Sequence, residues 1–147
     1  MFPVVSALRK RRRIMFYIVF TLALAGVIID NIFTIEAVSY FEDAQTNMYM
    51  VYFLIAYKLI ELNVLYLFFY KRHLLKYYGA DHTDELLHKF EKNAKRFFML
   101  VPHGNVIFGI ISYKLSANIG FFLLFMCIAT VALYLVKPKK ILDHIKE

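Results

Sequence analysis

The 147 residues are 61% hydrophobic and 18% aromatic, and the formal net charge is +7. A water-soluble domain of this length does not need so much apolar surface, so a soluble globular core is excluded. The basic excess lies beside long apolar runs, where Lys and Arg set membrane topology, and this argues against a nucleic-acid surface.

The first stretch, MFPVVSALRKRRR, ends in five consecutive basic residues, Arg9 to Arg13. An apolar run follows from Ile14 to Ile29 and extends to Ile35 if Asp30 and Asn31 are tolerated. A spanning helix needs about 20 residues, which favours the longer reading, a first span over about 14–35. Ala23-Leu24-Ala25 has the look of a signal-peptidase site, but the apolar run continues past it, so the segment is expected to be retained. Ala23, Gly26, Asp30, Thr34 and Ala37 recur at i+3 and i+4. They predict one small-and-polar stripe that packs on another helix rather than on lipid.

Glu36 to Asn47 carries Glu36, Glu42 and Asp43 and no basic residue. The second span, 48–70, holds Lys58 and Glu61 near its middle, and its helix is expected to extend beyond the membrane through Lys71, Arg72 and Lys76. Gly79 is the predicted stop, as a residue that accepts the left-handed backbone. A charged linker, 71–96, follows. Thr83 or Asp81 caps a new helix there, with Glu85/Lys89 and Glu91/Lys95 as acid-first i,i+4 pairs. His73, His82 and His88 lack the companion ligands of a metal site and read as solvated.

The third span, 97–113, contains Pro102-His103-Gly104-Asn105. Pro102 cannot donate to the Phe98 carbonyl, so this helix is expected to bend or open there. The fourth span, 115–136, has no charged residue, and its short connection to the third predicts an antiparallel hairpin. Its cysteine, Cys127, is the only one in the chain, so no disulfide framework or CxxC pair exists within it. Basic residues outside the spans number sixteen on one side (Arg9–Arg13, seven in 71–96, four after 136) against Lys114 on the other. The positive-inside rule then places both termini in the cytoplasm. The fold class is all-α: a single domain of four transmembrane helices in an antiparallel bundle, with a helical extension between the second and third.

Charges at mid-membrane cost at least ~2.5 kcal/mol each and seldom face lipid. Asp30, Lys58, Glu61 and Asn105 therefore form the candidate intramembrane polar cluster, with His103, Thr34 and Asn63 as secondary candidates. Lys58 and Glu61, three apart, can neutralise each other. Counted inward from the ends of their spans, Asp30 and Lys58 differ by about one helical turn, which a lysine can bridge. We expect Lys58 to pair with Asp30, leaving Glu61 free. Asn105 heads a stripe with Gly109, Ser112 and Ser116. His103 lies about 200° away from Asn105 around an unbroken helix.

Asp30-x-x-x-Thr34, Ala44-Gln45-Thr46-Asn47 and Lys58-Leu59 together resemble the signature of an uncharacterised family of small prokaryotic membrane proteins. That family has an Asp-x-x-x-Thr helix, a Glu-x-Asn-Pro turn and a following Lys-Leu. Gln45 and Met48 depart from the turn pattern. The resemblance covers residues 26–60, implies that Asp30, Asn47 and Lys58 act together, points to a prokaryotic plasma membrane, and supplies no activity.

No catalytic residue, metal ligand or cofactor is expected. His103 is the sole histidine inside a span, whereas bis-His haem needs two at similar depth, and no GxSxG or HExxH motif is present. The leading reading is a non-enzymatic scaffold or subunit of a membrane complex, partnered by the bilayer and by copies of itself or another membrane protein. The alternative is a small oligomeric ion or proton-coupled transporter or channel that uses Glu61, Lys58 and Asp30, and the third reading is a membrane enzyme acting on a lipid or hydrophobic substrate.

Overall fold

The computed structural model describes residues 2–34, 36–37, 43–79 and 83–138, and every regular element among them is helical. Helix α1 is Phe2–Ile32, α2 is Ala44–Tyr78, α3 is Asp84–Ser116 and α4 is Ile119–Leu135. The first three are long and apolar enough to cross a membrane. The fourth, at 17 residues, spans roughly 25 Å, a little under a typical hydrocarbon core.

Several boundaries have a local cause. Helix α1 stops at Ile32, so Thr34 and Ala37 fall outside it and are exposed, and the expected five-residue stripe shortens to Ala23, Gly26 and Asp30. The expected span end at Ile35 lies outside the described residues. Asp43 caps α2, its carboxylate accepting from the Gln45 N–H at 3.0 Å. Helix α2 then runs unbroken to Tyr78 through a π-helical turn at Tyr66–Lys71 that no sequence signal announced. Gly79 ends it, but with φ −85°, not in the left-handed conformation.

Thr83 caps α3 by accepting from the Leu86 N–H, while Asp81 and His82 lie outside the described residues. Lys89–Glu85 and Lys95–Glu91 form the anticipated surface pairs. Glu85 is held below the usual carboxylate range by its hydrogen bond from Lys89 and then by that charge. Helix α3 continues through Pro102 to Ser116. The break before α4 falls at Ala117, the one positive-φ residue described (φ 51°), followed by Asn118, whose side chain accepts from the Gly120 N–H at 2.8 Å. A left-handed residue and an Asn cap reverse the chain within two residues.

Helix α3 is the hub, packing on α1, α2 and α4, and α1 also packs on α4. The core combines Val5, Leu8, Met15 and Val19 of α1 with Phe90, Phe97, Phe98 and Val101 of α3 and Phe125, Met126 and Leu133 of α4. The outer faces are as apolar as the core: Phe20, Ile28, Phe53, Ile60, Phe68, Ile107 and Leu135 are all exposed. Apolar surface of that extent needs a non-aqueous surround.

Candidate functional site

Lys58 is the largest buried polar side chain described, with 0% exposure. Asn47, Val51 and Lys58 recur at i+4 and i+7 on the buried face of α2, so the aliphatic stem packs while the ammonium ends against α3. There Gly104 makes room for it. A Cβ added at Gly104 would lie 2.2 Å from Lys58 Nζ, nearer than any non-bonded carbon and nitrogen can approach. One turn further along α3, the Phe108 ring places its centroid 5.1 Å from Nζ, within cation–π range.

The ammonium donates to Glu61 Oε2 at 2.7 Å, closing an i,i+3 ion pair on α2. Glu61 keeps 28% of its side chain exposed, so the pair is buried at the lysine end only.

Asp30 is not the lysine's partner. Its carboxyl group accepts a hydrogen bond from the Tyr113 hydroxyl. Tyr113 stands nine residues beyond Gly104 on α3, or roughly 13 Å along the helix. That separation is more than two turns, where the sequence count gave one. The ends of apolar runs do not fix the relative heights of helices; packing against α3 does. The structure therefore divides the expected cluster into two levels, Lys58–Glu61 at one and Asp30–Tyr113 at the other. Asn47 lies eleven residues from Lys58 on α2, about 16 Å away along the axis. The three residues of the resembled signature thus do not meet at Lys58.

Tyr113→Phe is expected to lower thermal stability in detergent by ~1 kcal/mol, the usual net worth of a hydrogen bond. Asp30→Asn should be milder, because an amide oxygen still accepts. Equal melting temperatures for Tyr113→Phe and wild type would show that the bond contributes nothing.

Asn105 is fully buried, and its Nδ2 donates to the Val101 carbonyl at 2.7 Å. Its Oδ1 has no partner among the described residues, and neither does Ser112 Oγ on the same stripe. Ser116 donates to the Ser112 carbonyl instead. Gly109, between Asn105 and Ser112, sits against Phe122 and Phe125 of α4. The other candidates point outward. His103 is exposed, with Nδ1 2.8 Å from the Met99 carbonyl, and Asn63 is exposed, donating to the Leu59 carbonyl at 2.9 Å.

A cleft with a volume of about 640 Å³ lies between α2 and α4, with Phe97 of α3 contributing to its wall. Leu59, Leu62, Tyr66, Leu124, Ile128 and Val131 line most of it, with Asn63 and Cys127 as its polar or polarisable members. No charged side chain lines it. Gly104, Phe108 and Tyr113 were not among the candidates raised by the sequence, since a glycine, a phenylalanine and a tyrosine in an apolar helix carry no chemical motif. A search of protein-family models, curated proteins and solved structures finds no match to this chain.

Proposed function

We propose that the protein is a non-enzymatic integral membrane scaffold or subunit, in which the Lys58–Glu61 pair serves helix packing. The observation that carries this reading is the closure of the Lys58 ion pair within one helix, under Gly104 and Phe108. A charge neutralised three residues away and covered by a neighbouring helix ties α2 to α3 without requiring a mobile ion. The cleft between α2 and α4 supports the same reading, because an apolar groove without charged lining inside a bilayer is filled by hydrocarbon and not by water.

The accompanying architecture is four antiparallel spans, with α4 crossing a locally thin region, both termini and the Lys71–Arg96 stretch in the cytoplasm, and a prokaryotic plasma membrane as the setting. The basic bias and the exposed apolar faces support it. The resemblance noted over residues 26–60 is compatible with it and adds no activity.

Topology is tested in a Cys127→Ala background. Asp43→Cys is expected to react with an impermeant maleimide from outside, and Lys89→Cys only after permeabilisation. The opposite pattern would invert the assignment. Function is tested in proteoliposomes under an imposed potential and pH gradient, where no flux above protein-free vesicles is expected. The transport reading draws on the partial exposure of Glu61 and on Asn105 Oδ1, which has no partner among the described residues. Flux that Glu61→Gln abolishes would establish it in place of the scaffold.

A further inference from the structure

The basic residues that set topology also build a concave site. Arg9 and Arg12, one turn apart on α1, line a pocket of about 320 Å³ with Tyr134, Lys137 and Pro138 at the C-terminal end of α4. Three cationic side chains thus line one small volume, and no carboxylate among the described residues lines it. The ion pairs formed among the described residues are Lys58–Glu61, Lys89–Glu85 and Lys95–Glu91, and none involves these three cations.

The site is held in place by its own framework. Arg12 Nη1 donates to the Val136 carbonyl at 3.2 Å, and its guanidinium lies 5.6 Å from the Phe16 ring centroid. That bond satisfies a carbonyl just past the end of α4, where helix carbonyls lack partners and the dipole favours a cation. It uses one of five guanidinium N–H donors and leaves the others available. Lys137 Nζ rests 4.3 Å from the Tyr134 ring centroid, a cation–π contact between two residues that both line the pocket. Val5 and Leu8 anchor the same part of α1 in the core.

We propose that this pocket binds a phosphate-bearing anion, with the headgroup of an anionic phospholipid as its source. The inference rests on the membrane reading, which places Arg9–Arg13 and Lys137 where an apolar run meets the aqueous phase, at headgroup level. Two guanidinium groups give planar, paired donors suited to phosphate oxygens, and Lys137 adds a point charge. Tyr134, an amphipathic side chain at the same level, adds a hydroxyl. Basic pockets between transmembrane helices on the cytoplasmic side are one known form of anionic headgroup recognition.

The test titrates short-chain phosphatidylglycerol, phosphatidylcholine or inorganic phosphate onto the full chain in a neutral detergent, reading bound lipid by native mass spectrometry and melting temperature in parallel. Phosphatidylglycerol is expected to bind and raise the melting temperature, and phosphatidylcholine to do neither. Arg9→Gln with Lys137→Gln should weaken phosphatidylglycerol about 30-fold, from roughly fivefold for each basic residue near an anionic headgroup. Both residues are exposed, so the pair should fold, and Arg12 is left intact to hold the end of α4. The control pair Lys10→Gln with Arg13→Gln removes the same charge outside the pocket and should bind as wild type. Inorganic phosphate that competes in a pocket-dependent way would support the anion site and reassign its source to the aqueous phase. Equal loss in both pairs, equal binding of phosphatidylcholine, or no binding of either anion would overturn the pocket. Failure of the membrane reading has a separate signature, extraction from membranes by alkaline carbonate without detergent.

Discussion

Glu61→Ala is expected to cost about 3–5 kcal/mol of thermal stability in detergent, the range for removing one partner of a buried ion pair. The cost does not come mainly from the lost contact. It comes from leaving the Lys58 ammonium at 0% exposure with the Phe108 ring as its remaining described electrostatic neighbour. Lys58→Met in the same chain should recover most of the loss, since an uncharged side chain of similar length fills the space under Gly104 without needing a counter-charge. The double-mutant cycle measures the coupling directly, and its two arms discriminate between partners. Coupling of Lys58 to Glu61 is expected. Coupling of Lys58 to Asp30 above about 0.5 kcal/mol would contradict the two-level arrangement. Gly104→Ala belongs to the same test, because the added Cβ meets Lys58 Nζ at 2.2 Å; Lys58→Met should relieve most of the clash, since methionine ends where lysine Cε stands, 3.4 Å away.

Gly109→Leu should be nearly as damaging, through overpacking. The Phe122 ring of α4 is wedged between glycines of two helices. A Cβ at Gly109 of α3 would lie 2.9 Å from Phe122 Cδ2 and 3.3 Å from Phe125 Cβ, and one at Gly26 of α1 would lie 2.6 Å from Phe122 Cε1. Inserted carbons in a contact this tight typically cost about 1–3 kcal/mol. Gly109 should stand at the upper end, because its new side chain would also meet the backbone at Phe122 Cα, 3.5 Å away. Gly26→Leu has ring atoms of Phe122 as its nearest contacts, with no backbone atom among them, and should cost less. Phe122→Ala should partly suppress both substitutions, since the vacated ring volume accepts the new side chain. Monodisperse yield and melting temperature in detergent check these outcomes. An unaltered melting temperature for Gly109→Leu would mean that α3 and α4 are not in close contact there.

The Gly26 case shows what the sequence made legible and how. Small residues at i+3 and i+4 mark a face that another helix approaches closely, because side-chain direction repeats with the helical period. That periodicity selected Ala23, Gly26 and Asp30 correctly but could not identify Phe122 as the side chain seated on the glycine. The stripe also carried the helix too far, to Ala37, because composition alone does not end a helix and Thr34 has no breaker before it. Gly79 was legible as a stop, whereas its backbone conformation was not.

What the sequence determined by itself was the class: long, predominantly apolar runs that are expected to form helices, since backbone groups in hydrocarbon need partners within their own segment. Its capping residues, Asp43, Thr83 and Asn118, also act locally and could be read or recovered locally. The identity of each charge's partner was decided only by the tertiary structure. Lys58 has Glu61 in reach on its own helix at i+3, and Asp30 was a rival only if α1 and α2 sat at matching heights. Those heights are set by how each helix packs on α3, where Gly104 accepts the ammonium and Tyr113, roughly 13 Å further along, meets Asp30. Spacing along one chain fixes neighbours within a helix; the offset between helices belongs to side-chain packing summed over the whole interface.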